Sequence, residues 1–366
     1  MLGNSRSSAF AQFIRNETRL KKNPIFHKEY NQVLQEYLDL GHMSEIASSN
    51  NQSTELNYYL PHHAVIKAES TTTKVRVVFN ASSSSSNGNS LNDVLYTGPA
   101  LQTDLIILLH KWRFLKYVFN ADIQKMYRQI LVDPKQRAFQ RILFRPDSDS
   151  DVKEYQLNTV TFGVNCAPYL AIRTMLKIAE DYKESHPIAS KIIVHNMYVD
   201  DILAGFHTTD DALAAKTELI SVFQLAGFEL RKWTSNKKMI LSDLSSDHLL
   251  HKDFLQFDDS SVAKTLGIRW NARTDVFYFT VKPFADKSSF TKREILSDIA
   301  KLFDPTGWLS PCVILAKMIM QQIWLEHTDW DDVVSDKINE SWQQFKSNFT
   351  CINDIKIPRW IGYSLS

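Results

Sequence analysis

The chain has 366 residues, of which 44% are hydrophobic and 23% charged, and its net charge is +1. That length predicts two or three lobes, each with its own core, and the composition disfavours both disorder and a membrane protein. A charge so close to zero means that any hold on nucleic acid must come from local basic clusters.

The longest apolar stretch, 312–320, is interrupted by Lys317 and is too short to span a bilayer. The N-terminus lacks the apolar core of a secretory signal, so an intracellular protein with no membrane partner is expected. Cys166, Cys312 and Cys351 form no CxxC pair and read as buried reduced thiols. The histidines show no metal-binding spacing, and His62, His63 and His195 read as structural or surface residues.

Two helices open the chain, Ala9 to Lys22 and a second announced by Asn23-Pro24 and closed by Gly41. Short extended runs follow, Ala64 to Lys67 and Lys74 to Phe79, which predict a hairpin carrying basic residues. Ser82 to Ser90 is a polar loop of low complexity. A helix from Gln102 to Trp112 leads into a strand, Tyr117 to Ile123, whose period of two puts Asn120 and Asp122 together on a wet face. A second hairpin joins Phe139–Arg145 to Val152–Thr161 through an acidic turn, and a helix runs from about Tyr169 to Tyr182. The apolar runs 192–194 and 202–206 flank Tyr198-Val199-Asp200-Asp201 and predict strand, tight turn, strand. Thr208 and Asp211 suit a capping box for a helix ending before Gly227, and the chain beyond Lys292 is mostly helical. Hairpins rather than βαβ units point to an antiparallel α+β core.

Paired aspartates on a hairpin turn, near a third acid on a neighbouring strand, make a hard-oxygen site suited to magnesium. Two such ions about 3.5–4 Å apart can serve phosphoryl transfer, a reaction that needs positioning and charge more than a protein nucleophile. Asp122, Asp200 and Asp201 are the candidates. Y-x-D-D alone would occur by chance in roughly 0.03 chains of this length. A polar turn is the ordinary reading of such a tetrapeptide. Two acids between apolar strands, however, repel one another unless a cation or basic partner compensates.

The ordered series of motifs resembles reverse transcriptases, most closely those of Bel/Pao long-terminal-repeat retrotransposons, over nearly the whole chain. Asn120-Ala121-Asp122-Ile123-Gln124-Lys125-Met126-Tyr127 is similar to the first catalytic motif, and Tyr198-Val199-Asp200-Asp201 to the second. The resemblance implies metal binding by Asp122, the Ile123 backbone, Asp200 and Asp201, with Tyr198 beside the nucleotide. It makes Tyr127 the gate that clashes with a 2′ hydroxyl, the group that tells ribose from deoxyribose.

Phe162-Gly163-Val164-Asn165-Cys166-Ala167-Pro168 is similar to the template and nucleotide-positioning motif, with Phe162 and Gly163 as contacts. Lys67, Lys74 and Arg76 match basic positions that hold the triphosphate. In the block from Gly227 to Asn236, Lys232 is the implied proton donor to pyrophosphate. Leu266-Gly267-Ile268-Arg269-Trp270 resembles the primer grip, with Leu266, Gly267, Ile268 and Trp270 holding the primer.

The fold this implies is the right-hand polymerase, with fingers, a palm bearing an antiparallel sheet, and a thumb. Residues 1–57 would be an N-terminal helical extension, 58–240 fingers and palm, and 241–290 the primer-grip region. Residues 291–366 would be a helical thumb or connection lobe, ending before ribonuclease H. The implied activity is RNA-directed DNA polymerisation, with two Mg2+ ions (Mn2+ as substitute), an RNA or DNA template with primer, and deoxynucleoside triphosphates. Further implied partners are a second copy or other Pol domains, in a cytoplasmic retroelement particle or the nucleus. The competing reading is a catalytically defective fragment that only binds nucleic acid or serves as a structural subunit.

Overall fold

The computed structural model describes residues 2–46, 56–66, 75–147, 149–250, 262–265, 268–279, 287–300 and 306–362. They form two compact units, Met1–Gln102 with Lys125–Asp181, and Thr103–Gln124 with Tyr182–Ser366. The first unit begins with helices α1 (Arg6–Lys21) and α2 (Pro24–Asp39), strands β1 (Met43–Glu45), β2 (His62–Ile66) and β3 (Val75–Phe79), and the short helix α3 (Leu91–Val94). Helix α4 (Leu105–Phe114) and strand β4 (Tyr117–Ile123) belong to the second unit. The chain returns to the first unit for β5 (Arg141–Phe144), β6 (Lys153–Leu157) and α5 (Ala167–Asp181). The second unit then takes α6 (Pro187–His195), β7 (Met197–Tyr198), β8 (Asp201–Phe206), α7 (Thr209–Leu225) and β9 (Leu230–Ser235). It continues with β10 (Val262–Thr265), β11 (Ile268–Asn271), β12 (Val276–Tyr278), α8 (Lys292–Ala300), α9 (Ser310–Leu325), α10 (Asp336–Phe349) and β13 (Lys356–Pro358).

In the first unit, β1, β6 and β5 form an antiparallel sheet in the order β1-β6-β5, and β2 and β3 form a separate hairpin. Helix α2 starts where its signals predict, with Pro24 in the first turn and the Asn23 side chain accepting from the Phe26 N–H at 3.3 Å. Arg145 ties β5 to α1 by gripping both carboxylate oxygens of Glu17, at 2.8 and 2.7 Å.

The second unit is built on the antiparallel order β7-β8-β4-β9, in which β4 pairs with both β8 and β9. Helix α7 packs on β4 and β8 and opens on Thr208, whose hydroxyl accepts from the Asp211 N–H at 3.2 Å. A core of Leu109, Trp112, Val118, Leu203, Trp270 and Phe277 joins α4 and this sheet to the second sheet, ordered β10-β11-β12-β13. Trp112 and Trp270 meet edge to face at 4.7 Å. Beside β13, the fully buried Arg359 grips both oxygens of Asp275 at 2.6 and 2.7 Å, and also donates to the carbonyls of Trp112 and Leu115.

Mixed helix and antiparallel sheet is the expected class, and three local expectations need correction. The run 192–194 is not a strand but the end of α6, because Pro187 opens a helix whose buried positions, Ala189, Ile192 and Ile193, follow helical spacing. Asn120 does not face solvent: β4 is flanked by two strands and covered on both faces, so Asn120 is buried and Asp122 half-buried. Cys351 is exposed, and Cys166 and Cys312 are only partly covered, so the thiols are free but not core groups. Among the described residues no helix is long and apolar enough to cross a membrane.

Candidate active site

The carboxylates gather where three strands of the second unit meet. Asp122, near the end of β4, is the direct cross-strand partner of Asp201 at the start of β8. Directly opposed residues of an antiparallel pair project from the same face, and like charges placed so are destabilising. Asp200 lies in the two-residue connection between β7 and β8, and its carbonyl accepts from the Ile123 N–H at 2.8 Å, which ties the turn to β4. Tyr198 pairs with Asp201 across that hairpin. Val199 completes the turn with φ 55°, a left-handed conformation costly for a β-branched side chain and common where function over-determines the backbone.

Burial first, then the charges of Asp200 and Asp122, push the Asp201 carboxyl up to about 7. Asp122 is also raised, chiefly by burial, against the opposing pull of Lys232. The Lys232 ammonium donates to Asp122 Oδ2 at 3.0 Å. Its aim comes from a β-bulge: Asp122 pairs with Arg231 and Asn120 with Thr234, so Lys232 and Trp233 both lie opposite Ala121. Lys232 takes the left-handed backbone that this requires (φ 55°), while Trp233 turns into the core against Phe119. A strict period of two would have set Lys232 beside Thr234 and missed the bulge.

Three partly buried carboxylates supply hard oxygen donors with an excess of negative charge, a donor set that fits a divalent cation such as Mg2+. Among the described residues no three Asp, Glu, His or Cys side chains converge as a finished metal cage. The aspartates are thus electrostatic neighbours rather than a preassembled ligand set.

The other candidates of the catalytic core lie in the first unit. The buried Tyr127 sits in a short 3-10 segment, Met126–Gln129, with its ring edge-on to Phe162 at 4.3 Å. Gly163 has φ 100°, and a Cβ there would fall 2.1 Å from the Phe79 carbonyl oxygen, so only glycine fits. Two residues outside the sequence expectations hold this loop, with Asn165 donating twice to Asn92: its backbone N–H to Asn92 Oδ1 at 2.9 Å, and its Nδ2 to the Asn92 carbonyl at 2.9 Å. Such paired amide bonds carry no periodic signal. Arg76 is exposed on β3, while Lys67 and Lys74 lie outside the described residues.

Of the primer candidates, Leu266 and Gly267 lie outside the described residues, and Ile268 opens β11. Trp270 is fully buried, with its indole N–H on Asp275 Oδ1 at 3.0 Å. Any hold it has on a primer acts through the strand it anchors.

Residues 72–247 match the family model for reverse transcriptase (RNA-dependent DNA polymerase). The chain therefore carries an RNA-directed DNA polymerase, a nucleotidyltransferase of the kind that works on a nucleic-acid template and primer with nucleotide substrates and divalent metal. Residues 291–365 match the model described as a Pao retrotransposon-like RNaseH-like domain. The two matches together are consistent with the Pol region of a Pao/Bel-type retrotransposon. A comparison with curated proteins finds no match.

Proposed function

We propose that this Pol region extends a primer 3′ end with deoxynucleotides, on RNA or DNA template, by a two-metal mechanism. Asp122, the Ile123 carbonyl, Asp200 and Asp201 would hold the ions. The observation that carries this reading is the direct opposition of Asp122 and Asp201 beside Asp200, an excess of negative charge that the single Lys232 ammonium offsets only in part. Divalent ions bound there supply Lewis acidity toward the primer hydroxyl and offset charge on the leaving pyrophosphate.

The remaining roles belong to the chain's own groups. Lys232, already on Asp122, is the candidate proton donor to pyrophosphate. Arg76, with Lys67 and Lys74, grips the triphosphate. Tyr198 lies beside the nucleotide, Tyr127 excludes a 2′ hydroxyl, and Phe162 and Gly163 present the template-side surface. Leu266, Gly267 and Ile268 line the primer grip, which Trp270 anchors. On this reading the β7-β8-β4-β9 sheet is the palm, the β2–β3 hairpin belongs to the fingers, and α8 to α10 form a thumb or connection lobe.

Primer extension by the purified chain on a poly-A template, with and without magnesium, tests the proposal. Wild type should elongate only with magnesium, and Asp200→Asn should not elongate. If both incorporate equally little while still binding template and primer, the catalytic reading fails and a binding-only fragment stands in its place.

A further inference from the structure

The family match begins at residue 72, so α1 and α2 lie ahead of it. Yet α2 reaches the 3-10 segment that carries Tyr127. Glu36 on α2 contacts the Lys125 ammonium at 2.6 Å and the Arg128 guanidinium at 2.7 Å through the same oxygen. Tyr127 stands between those two cations in the chain.

Arg128 is buried and held on two further sides: its guanidinium lies 3.9 Å over the Tyr37 ring, and its Nε–H donates to His42 Nδ1 at 3.0 Å. Burial, then the charges of Arg128 and Lys125, lower the His42 imidazole to about 4, so it stays neutral and able to accept that bond. Lys125 has a left-handed backbone, φ 52°, which is strained for a non-glycine residue and persists only where surroundings enforce it. Its carbonyl accepts from the Arg128 N–H at 2.8 Å, closing the tight turn under Tyr127.

We propose that Glu36 is a positioning residue for Tyr127: by clamping Lys125 and Arg128 on either side of it, α2 fixes the ring that sorts deoxyribonucleotides from ribonucleotides. The proposal rests on the reading of Tyr127 as the sugar gate. A gate works by sterics, and a ring free to yield by a few tenths of an ångström admits a hydroxyl that a fixed ring refuses. Without Glu36, the two cations lose their shared carboxylate and the strained Lys125 turn loses its brace. The segment then relaxes while every group proposed to bind metal remains unchanged.

The test measures single-nucleotide addition of a deoxynucleotide and its ribonucleotide by the full chain, for wild type, Glu36→Gln, Glu36→Asp and Tyr127→Ala. Hydrogen exchange at residues 126–130 is followed in the same proteins. Glu36→Gln should lower the discrimination ratio about 5- to 10-fold with deoxynucleotide addition within about twofold of wild type, and should speed exchange at 126–130. Glu36→Asp, which keeps the charge, should restore most of the ratio. Should Glu36→Gln be too unstable to purify, Arg128→Lys removes the Tyr37 stack and the His42 bond and gives the same readout.

A ratio unchanged in Glu36→Gln, where Tyr127→Ala collapses it, overturns the proposal. If Tyr127→Ala leaves the ratio intact, the gate assignment fails and this inference with it. If wild type adds neither nucleotide, the polymerase reading has failed separately. Exchange then decides the clamp, and unaltered exchange at 126–130 in Glu36→Gln refutes it.

Discussion

Replacing Asp201 by asparagine should stabilise the metal-free protein, by an amount that grows as pH rises from about 4 and levels off above about 7. The Asp201 carboxyl lies at about 7 in the folded chain against an ordinary value of 3.8, through burial and the neighbouring Asp200 and Asp122. An acid raised on folding binds its proton more tightly in the native state than in the unfolded one. Wild-type stability therefore falls as pH rises through the window between those two values, and the loss is complete above the folded value. The gap, which already includes the opposing pull of Lys232, sets a ceiling of about 4 kcal/mol, and solvent screening reduces it to about 1–3 kcal/mol.

The asparagine side chain has no charge to desolvate, so the advantage of the variant over wild type should reach that size at about pH 8 and shrink toward zero near pH 4. Urea unfolding of both proteins with a chelator present, at the two pH values, reads the difference directly. Millimolar magnesium at the higher pH should reverse the order, because an ion that binds only the native site stabilises wild type by mass action. An advantage for Asp201→Asn of equal size at both pH values, or none at either, would refute the reasoning that this carboxylate is held against its charge.

Other perturbations probe the supporting structure. Gly163→Ala should cost about 2–4 kcal/mol in urea unfolding, since a methyl group cannot share space with the Phe79 carbonyl at φ 100°; an unaffected midpoint would show that the loop yields. Arg359→Met should cost about 3–5 kcal/mol by leaving the Asp275 charge without its cation and the Trp112, Leu115 and Lys116 carbonyls without this donor, and adding Asp275→Asn should recover part of it. Lys232→Met should slow nucleotide addition about 10- to 100-fold; an unchanged single-turnover rate would remove Lys232 from the chemistry.

The features legible in the sequence were those whose cause is local. Asn23 with Pro24, and Thr208 ahead of Asp211, mark helix starts because a cap is satisfied within a few residues of itself. The turn at Val199-Asp200 and the strand at Tyr117–Ile123 were visible in the same way, from apolar runs broken by acids. The helical run 192–194 is ambiguous in sequence because a short apolar stretch suits a buried strand and a buried helix equally, and the flanking Pro187 is the deciding signal.

What stayed hidden needs chain separation or broken periodicity. The bulge that turns Lys232 onto Asp122 appears only when β9 is laid against β4, and the Asn92–Asn165 bonds only when α3 meets the loop before α5. The clamp at Tyr127 joins Glu36 to Lys125 and Arg128, 89 and 92 residues further along the chain. Catalytic acids advertise themselves because chemistry fixes their type and spacing. The groups that aim them are recruited from wherever the fold brings charge and bulk together, and can lie outside the segment that identifies the family. An N-terminal helical pair that reads as scaffold in sequence can therefore govern selectivity, and truncating the chain at the family match would remove Glu36 while leaving every proposed metal-binding aspartate in place.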